Sequence, residues 1–413
     1  MLRVARNLRV AIVTLFQRRP WTGWIGWGIF VAVALARVHP RRFGSTFAAY
    51  LDAAQRLSAG QPVYNPTTPG DFLYFPITLL IYVPFTLLDR VTAAALALVI
   101  GAAFFTWACT KLTMALVDRP MIDAVALAGV SLLINIPAAW FNFKGIQAQV
   151  PMTAAMVAAC AAMVGSRWRA AAFWLFIAVA MKPLALVMVL LCGALVREMR
   201  VMLAGTVVTV ILLPFAFFDW SYLADEYRDM GLKLWHIATS PPLEWPYRAD
   251  FSTMLRAIGV QLPAWLAVGI RLAAALGTLA LAWRVKQQGG ARSFAVAVLV
   301  LSGCYITLFG PRNEFLSFIV LTPSLAALAW LMLMRDDADY RGWLLVAAAL
   351  VLGLAWGLEV DSVLKPAIVT AIYVWLAWLM AMPARWSEIV RSPEPVCAST
   401  GEQVITDAVA THR

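Results

Sequence analysis

The chain has 413 residues, of which 62% are hydrophobic and only 13% charged, and its mean hydropathy is +0.78. No soluble domain covers that much apolar surface, so the composition specifies an integral membrane protein, and repeated apolar stretches near 20 residues make the expected fold all-α and polytopic, embedded in a lipid bilayer. The formal net charge of +11 does not call for a nucleic-acid partner, because arginines gathered in cytoplasmic loops produce the same excess.

Residues 1–20, with Arg3, Arg6, Arg9, Arg18 and Arg19, read as a cytoplasmic lead into a first span over 21–38. The start resembles a signal peptide, with ALA at 34–36. Its charged lead is long, however, and its apolar run is rich in Trp and Gly, so it is expected to be retained as a helix. Arg37, Arg41 and Arg42 follow and would lie outside, against the usual bias. Residues 44–88 hold an amphipathic stretch ending at Gly60, a Pro/Gly-rich loop, and an apolar run broken by Pro76 and Pro84. That run is shorter than the ~20 residues a tilted span needs. The segment therefore predicts two juxtamembrane helices and a loop on the outer side.

Further spans are expected near 91–115, 121–140, 147–165, 170–182, 184–196, 201–218, 263–284, 293–310, 315–334, 342–358 and 364–382. With the first, these make about twelve crossings of one domain, 21–383. Basic clusters fix the cytoplasmic side: Arg167 with Arg169, Arg197 with Arg200, Arg284 with Lys286 and Arg292, Arg335 with Arg341, and Arg385 with Arg391. Both termini then lie in the cytoplasm. The acidic segment 219–260 becomes a second large outer loop. Residues 384–413 read as a cytoplasmic tail, polar and without periodicity from 392.

Two crossings between 170 and 196 require short helices with Lys182-Pro183 at their junction. Proline biases Lys182 away from helix. A lysine at membrane depth is costly and marks a functional site, with snorkelling to the interface as the plainer reading. The five cysteines are scattered and show neither metal spacing nor a disulfide framework. The three histidines lie far apart in sequence.

Five stretches carry a resemblance: Y-x-x-A-A-x-x-L-x-x-G-x-x-x-Y from Tyr50 to Tyr64, FLYFP at 72–76, NFKGIQAQ at 142–149, MKP at 181–183 and GPRNE at 310–314. In their order and spacing, within a chain that has a long first outer loop, they resemble glycosyltransferase family 87. The resemblance implies the GT-C fold and transfer of a sugar from a polyprenyl-phosphate donor to a lipid or glycan acceptor. It implies an inverting step and a mannose or arabinofuranose-like sugar. It also implies an outward-facing site at the bacterial cytoplasmic membrane, with no cofactor. One departure stands out. Family members usually carry a general-base Asp four residues before the tyrosine matched by Tyr50, and here that residue is Thr46.

Such chemistry needs a carboxylate to deprotonate the acceptor, cations for the departing phosphate, and an apolar groove for the prenyl chain. The outer side offers Asp52, Asp71 and Glu314 as bases, Asp52 and Glu314 being favoured. Asp52 lies six residues after Thr46, about 240° around a helix, so it does not replace the missing carboxylate on the same face. The plainer roles are a solvated helix face for Asp52, a turn or cap for Asp71, and a structural pair with Arg312 for Glu314. Lys182 and Arg312 are the favoured cations, with Lys144 third and Arg256 and Arg271 behind. Tyr64, Tyr74, Trp220, Trp235 and Trp245 are candidates for sugar stacking or for an interfacial belt. Asn142, in the NFKG turn, and His236, in the second outer loop, complete the substrate-binding candidates. The RDDAD run at 335–339 falls on the cytoplasmic side as a solvated loop, and metal-independent transfer is expected. A transporter and an inactive scaffold remain as alternatives. The absence of a visible inverted repeat argues against the first, and Thr46 favours the second.

Overall fold

A computed structural model describes residues 18–38, 45–65, 72–117, 121–239, 249–310, 313–334, 341–354 and 358–391. Their regular structure is helical. The first helices are α1 (Thr22–Ala36), α2 (Ser45–Ser58), α3 (Pro76–Tyr82), α4 (Arg90–Leu116), α5 (Met121–Gly145) and α6 (Gln149–Val164). Next come α7 (Trp168–Met181), α8 (Leu186–Leu195), α9 (Arg197–Leu212), α10 (Trp220–Thr239), α11 (Phe251–Ala257) and α12 (Ala264–Phe309). The last are α13 (Thr322–Leu333), α14 (Arg341–Gly353), α15 (Leu358–Met380) and α16 (Pro383–Val390). Five helices are long and apolar enough to cross a bilayer: Arg90–Leu116, Ala124–Gly145, Arg197–Ala216, Ala264–Phe309 and Glu359–Met380. Shorter apolar helices pack among them, and the chain is a multi-pass membrane protein.

The centre of the bundle is α6. Almost all its residues are buried, six of them alanines. Small side chains let neighbours approach closely, which is how helices associate where lipid supplies no hydrophobic drive. Accordingly α4, α7 and α12 all pack on it. The same principle operates where α1 crosses α5. A Cβ on Gly23 would stand 2.4 Å from the backbone carbon of Gly129. Polar links add direction. Thr322 donates to Asn135 Oδ1 at 2.7 Å, joining α13 to α5.

Two features differ from the reading of the sequence. The loop placed between 284 and 293 is helical up to its bend at Gly290, where φ is 69°. Glycine allows that turn without a connecting loop, and the basic residues there cap other helices: Lys286 donates to the carbonyl of Leu195 and Arg292 to that of Leu116. As expected of a second juxtamembrane helix, Pro76–Leu87 form α3 and a 3-10 turn, Val83–Leu87, packed on α2. The body of the protein extends past 383, because α16 packs on α12 with Trp386 buried and donating to Ser293 O at 3.0 Å.

Lys182 separates α7 from α8. Its φ and ψ are −159° and 130°, extended as its proline neighbour dictates. Cys192 on α8 reaches Met163 near the end of α6, so α8 turns back alongside the bundle. At the Lys182 end, Thr78 on α3 donates to Ala180 O at 2.7 Å. The juxtamembrane segment thus lies over the helix break.

Candidate active site

The link between α5 and α6 shapes one wall. Helix α5 ends at Gly145, and Ile146 takes φ of 46°. That conformation is a true outlier for a β-branched side chain, of the kind that collects at functional positions. It turns Gln147 inward, where only 7% of the residue is exposed. Gln147 Nε2 donates to Thr46 Oγ1 at 2.8 Å, and Gln147 Oε1 accepts from the Tyr50 hydroxyl at 3.4 Å. Thr46 and Tyr50 stand four residues apart on α2, hence on one face.

Tyr50 also meets Tyr74, hydroxyl to hydroxyl, at 3.2 Å. Burial pushes the Tyr50 phenol well above its usual range, so it remains a neutral donor. Lys182 Nζ lies 5.2 Å from the centre of the Tyr74 ring. Tyr64 donates its hydroxyl to the Tyr74 carbonyl. Phe72 fills the space between these rings, at 5.3 Å from Tyr74 and 5.9 Å from Tyr64. The result is an aromatic roof over a neutral polar network with one lysine at its edge.

The structure therefore joins Thr46, Tyr50, Tyr64, Tyr74 and Lys182, and separates others from them. Asp52 points off this face and pairs with Arg90 at 2.9 Å, both side chains being about half exposed. Lys144 is exposed. Asn142 is fully buried and donates to Ala138 O and Leu316 O at 2.9 and 3.0 Å, bracing α5 against the turn Phe315–Val320. That turn packs on α5 and α6 at the end that carries Gln147, and Gln149 reaches Ser317 Oγ at 2.7 Å. Glu314, half-buried, caps it reciprocally with Ser317. Tyr64 and Tyr74 pack on each other's neighbours, while Trp220 and Trp235 are mostly exposed, as in an interfacial belt. Asp71, Arg312, Trp245 and the RDDAD run lie outside the described residues, as does the side chain of His236. Among the described residues no group of three His, Cys, Asp or Glu side chains could hold a metal ion.

Five buried polar residues went unread in the sequence. Gln147 was legible as part of NFKGIQAQ, but only the strained turn reveals its direction. Glu226 and Lys233 lie on the buried face of α10 with Leu223 and Met230, a charged interruption of an amphipathic pattern. Glu226 accepts from the backbone N–H of Val63 at 3.1 Å and of Tyr64 at 3.2 Å. Burial raises its pKa against those two bonds. Asp229 raises it further, and Arg56 lowers it. Asp361 and Lys365 form a buried pair at 3.3 Å on α15, with Lys365 5.5 Å from the Phe318 ring. An i,i+4 charge pair inside an apolar helix is its sequence signature.

These features define a multi-pass membrane protein with a buried polar cluster against its first juxtamembrane segment. Residues 72–311, more than half of the chain, match glycosyltransferase family 87, and the chain belongs to that family. No curated protein matches the chain. The solved apo oligosaccharyltransferase of Archaeoglobus fulgidus is similar over 95% of this chain at 12% identity, with a TM-score of 0.39, and the chain spans 60% of that protein's length.

Proposed function

We propose that this protein transfers a sugar from a polyprenyl-phosphate donor to a lipid or glycan acceptor on the outer side of a bacterial cytoplasmic membrane. The observation that carries the reading is Lys182. It is the cation at a helix break, half-buried beneath Tyr74 and beside the Thr46–Gln147–Tyr50 network. A break of this kind turns backbone groups toward a cavity at membrane depth. In the reaction, the acceptor oxygen bonds to the anomeric carbon as the bond from that carbon to the phosphate oxygen breaks. The lipid phosphate leaves with the electron pair, and Lys182 stabilises its charge, assisted by Arg312. The hydroxyl proton passes to a carboxylate. Asp52 is engaged with Arg90 on another face, so Glu314 is the candidate we carry forward. Tyr50 and Tyr74 orient the sugar.

The test is transfer by purified protein in nanodiscs, with a panel of mannosyl, arabinofuranosyl and other polyprenyl-phosphate donors and a membrane lipid extract as acceptor. Turnover of one donor, abolished in Glu314→Gln, supports the reading. No turnover from any donor would refute it. A second reading, an inactive scaffold on the same fold, is favoured by one observation. Thr46 occupies the place of the family's usual carboxylate and is bound in a neutral network.

A further inference from the structure

We infer that Glu226 is a positioning residue, by which the helix of the second outer loop sets the aromatic roof over Lys182. The inference rests on the donor-site reading of the Thr46–Tyr50–Tyr74–Lys182 cluster. The path is continuous: each link as far as Tyr50 is a hydrogen bond, and Lys182 is met by a ring face. The Glu226 carboxylate holds the N–H groups of Val63 and Tyr64. Tyr64 holds the carbonyl of Tyr74 through its hydroxyl. Tyr74 meets Tyr50 by its own hydroxyl and covers Lys182 with its ring. A second tie runs beside the first, from the Tyr222 hydroxyl to Gln61 O at 2.8 Å.

Val63 and Tyr64 are not held by regular structure of their own. Residues 61–65 form no helix, so their backbone donors have no ladder to join, and buried N–H groups must find a partner. A carboxylate can accept both at once, which a hydroxyl or a neutral amide does less well. The arrangement also explains why a carboxylate occupies the inner face of α10, where Glu226 is 4% exposed. Burial raises its pKa, so the ionised clamp is held at a cost in stability, the balance found at sites kept for function. The helix that bears it places Trp220 and Trp235, 66% and 70% exposed, where a membrane interface would hold them. The roof is thereby registered to the membrane surface.

The experiment uses full-length protein in nanodiscs, as wild type, Glu226→Ala, Glu226→Gln and the control Asp225→Asn, whose carboxylate is 70% exposed on the same helix. Amide exchange is read at Val63 and Tyr64, and oxidative footprinting at Tyr64 and Tyr50, which are 2% and 3% exposed. We expect exchange to rise at least about tenfold in Glu226→Ala, partly recovering in Glu226→Gln, with no change in the control. Labelling of both tyrosines should rise with it, and donor KM about tenfold at an equal amount of folded protein. Unchanged exchange overturns the inference. So does faster exchange with Tyr50 still protected, because the clamp would then stop at the loop. A structural role alone would lower thermal stability and leave donor KM as it was. If wild type turns over no donor, the donor-site reading falls, and the footprint at Tyr50 alone decides whether Glu226 sets the roof.

Discussion

Lys182→Met removes one charge and keeps most of the side-chain volume. Two unit charges about 4 Å apart at an effective dielectric near 20 interact by about 4 kcal/mol. A water entering the half-buried position restores part of this, leaving a loss of about 2–3 kcal/mol in the transition state, or roughly 30–150-fold in kcat. The cation–π contact with Tyr74 adds only about 0.5–1 kcal/mol to folding, so the variant should fold and bind membrane normally. Lys182→Arg retains the charge and should recover a large part of the rate. The assay is single-turnover transfer from saturating donor, with melting followed in parallel. A Met variant that turns over at the wild-type rate would refute the assignment of the phosphate to Lys182. A Met variant with only a raised donor KM would place the lysine in binding, not in departure of the phosphate.

Further outcomes follow from the geometry. Asp52→Asn breaks an exposed ion pair worth at most about 1 kcal/mol, and kcat should remain within about threefold of wild type; a dead but folded variant would return Asp52 to the role of base. Thr46→Val deprives Gln147 Nε2 of its acceptor and should lower stability by about 1–2 kcal/mol, read as a fall in melting temperature, while Thr46→Ser should be near neutral. Gly23→Val drives a side chain into the backbone of Gly129 and should cost about 1–3 kcal/mol, visible as early aggregation on heating. Glu226 has a pKa above the ordinary glutamate value, so its contribution favours the fold at low pH and is lost as pH rises through the raised value. Wild type should therefore lose stability relative to Glu226→Gln across that window, and a constant difference in melting temperature would count against the burial argument.

Much of this architecture is written locally and so was readable. Pro183 forces Lys182 out of helix, and hydropathy marks α4 and α5 without ambiguity. Thr46 and Tyr50 share a face by helical spacing alone. The remainder depends on contacts between residues about 100 apart or more, such as Gln147 with Thr46 and Glu226 with Val63, and no local pattern encodes which partner is met. Asp52 shows the limit well. Its angle from Thr46 could be computed, but not the presence of Arg90 opposite it. At 284–293 the basic composition reads as a loop, yet those charges serve the carbonyls of Leu195 and Leu116, and one glycine makes the bend.

The position of Trp386 has a consequence for biosynthesis. Its indole is seated against Ser293, beside the bend of α12, and Ser387 lies 3.1 Å from where a Cβ on Gly289 would stand. Synthesis proceeds from the N-terminus, so α12 leaves the ribosome long before its latch exists. That end of the bundle must wait, incompletely packed, until α13, α14 and α15 have been made. A nascent protein stalled or truncated before 383 would expose the unlatched surface to quality control, whereas one ending just after Val390 would carry every described packing contact.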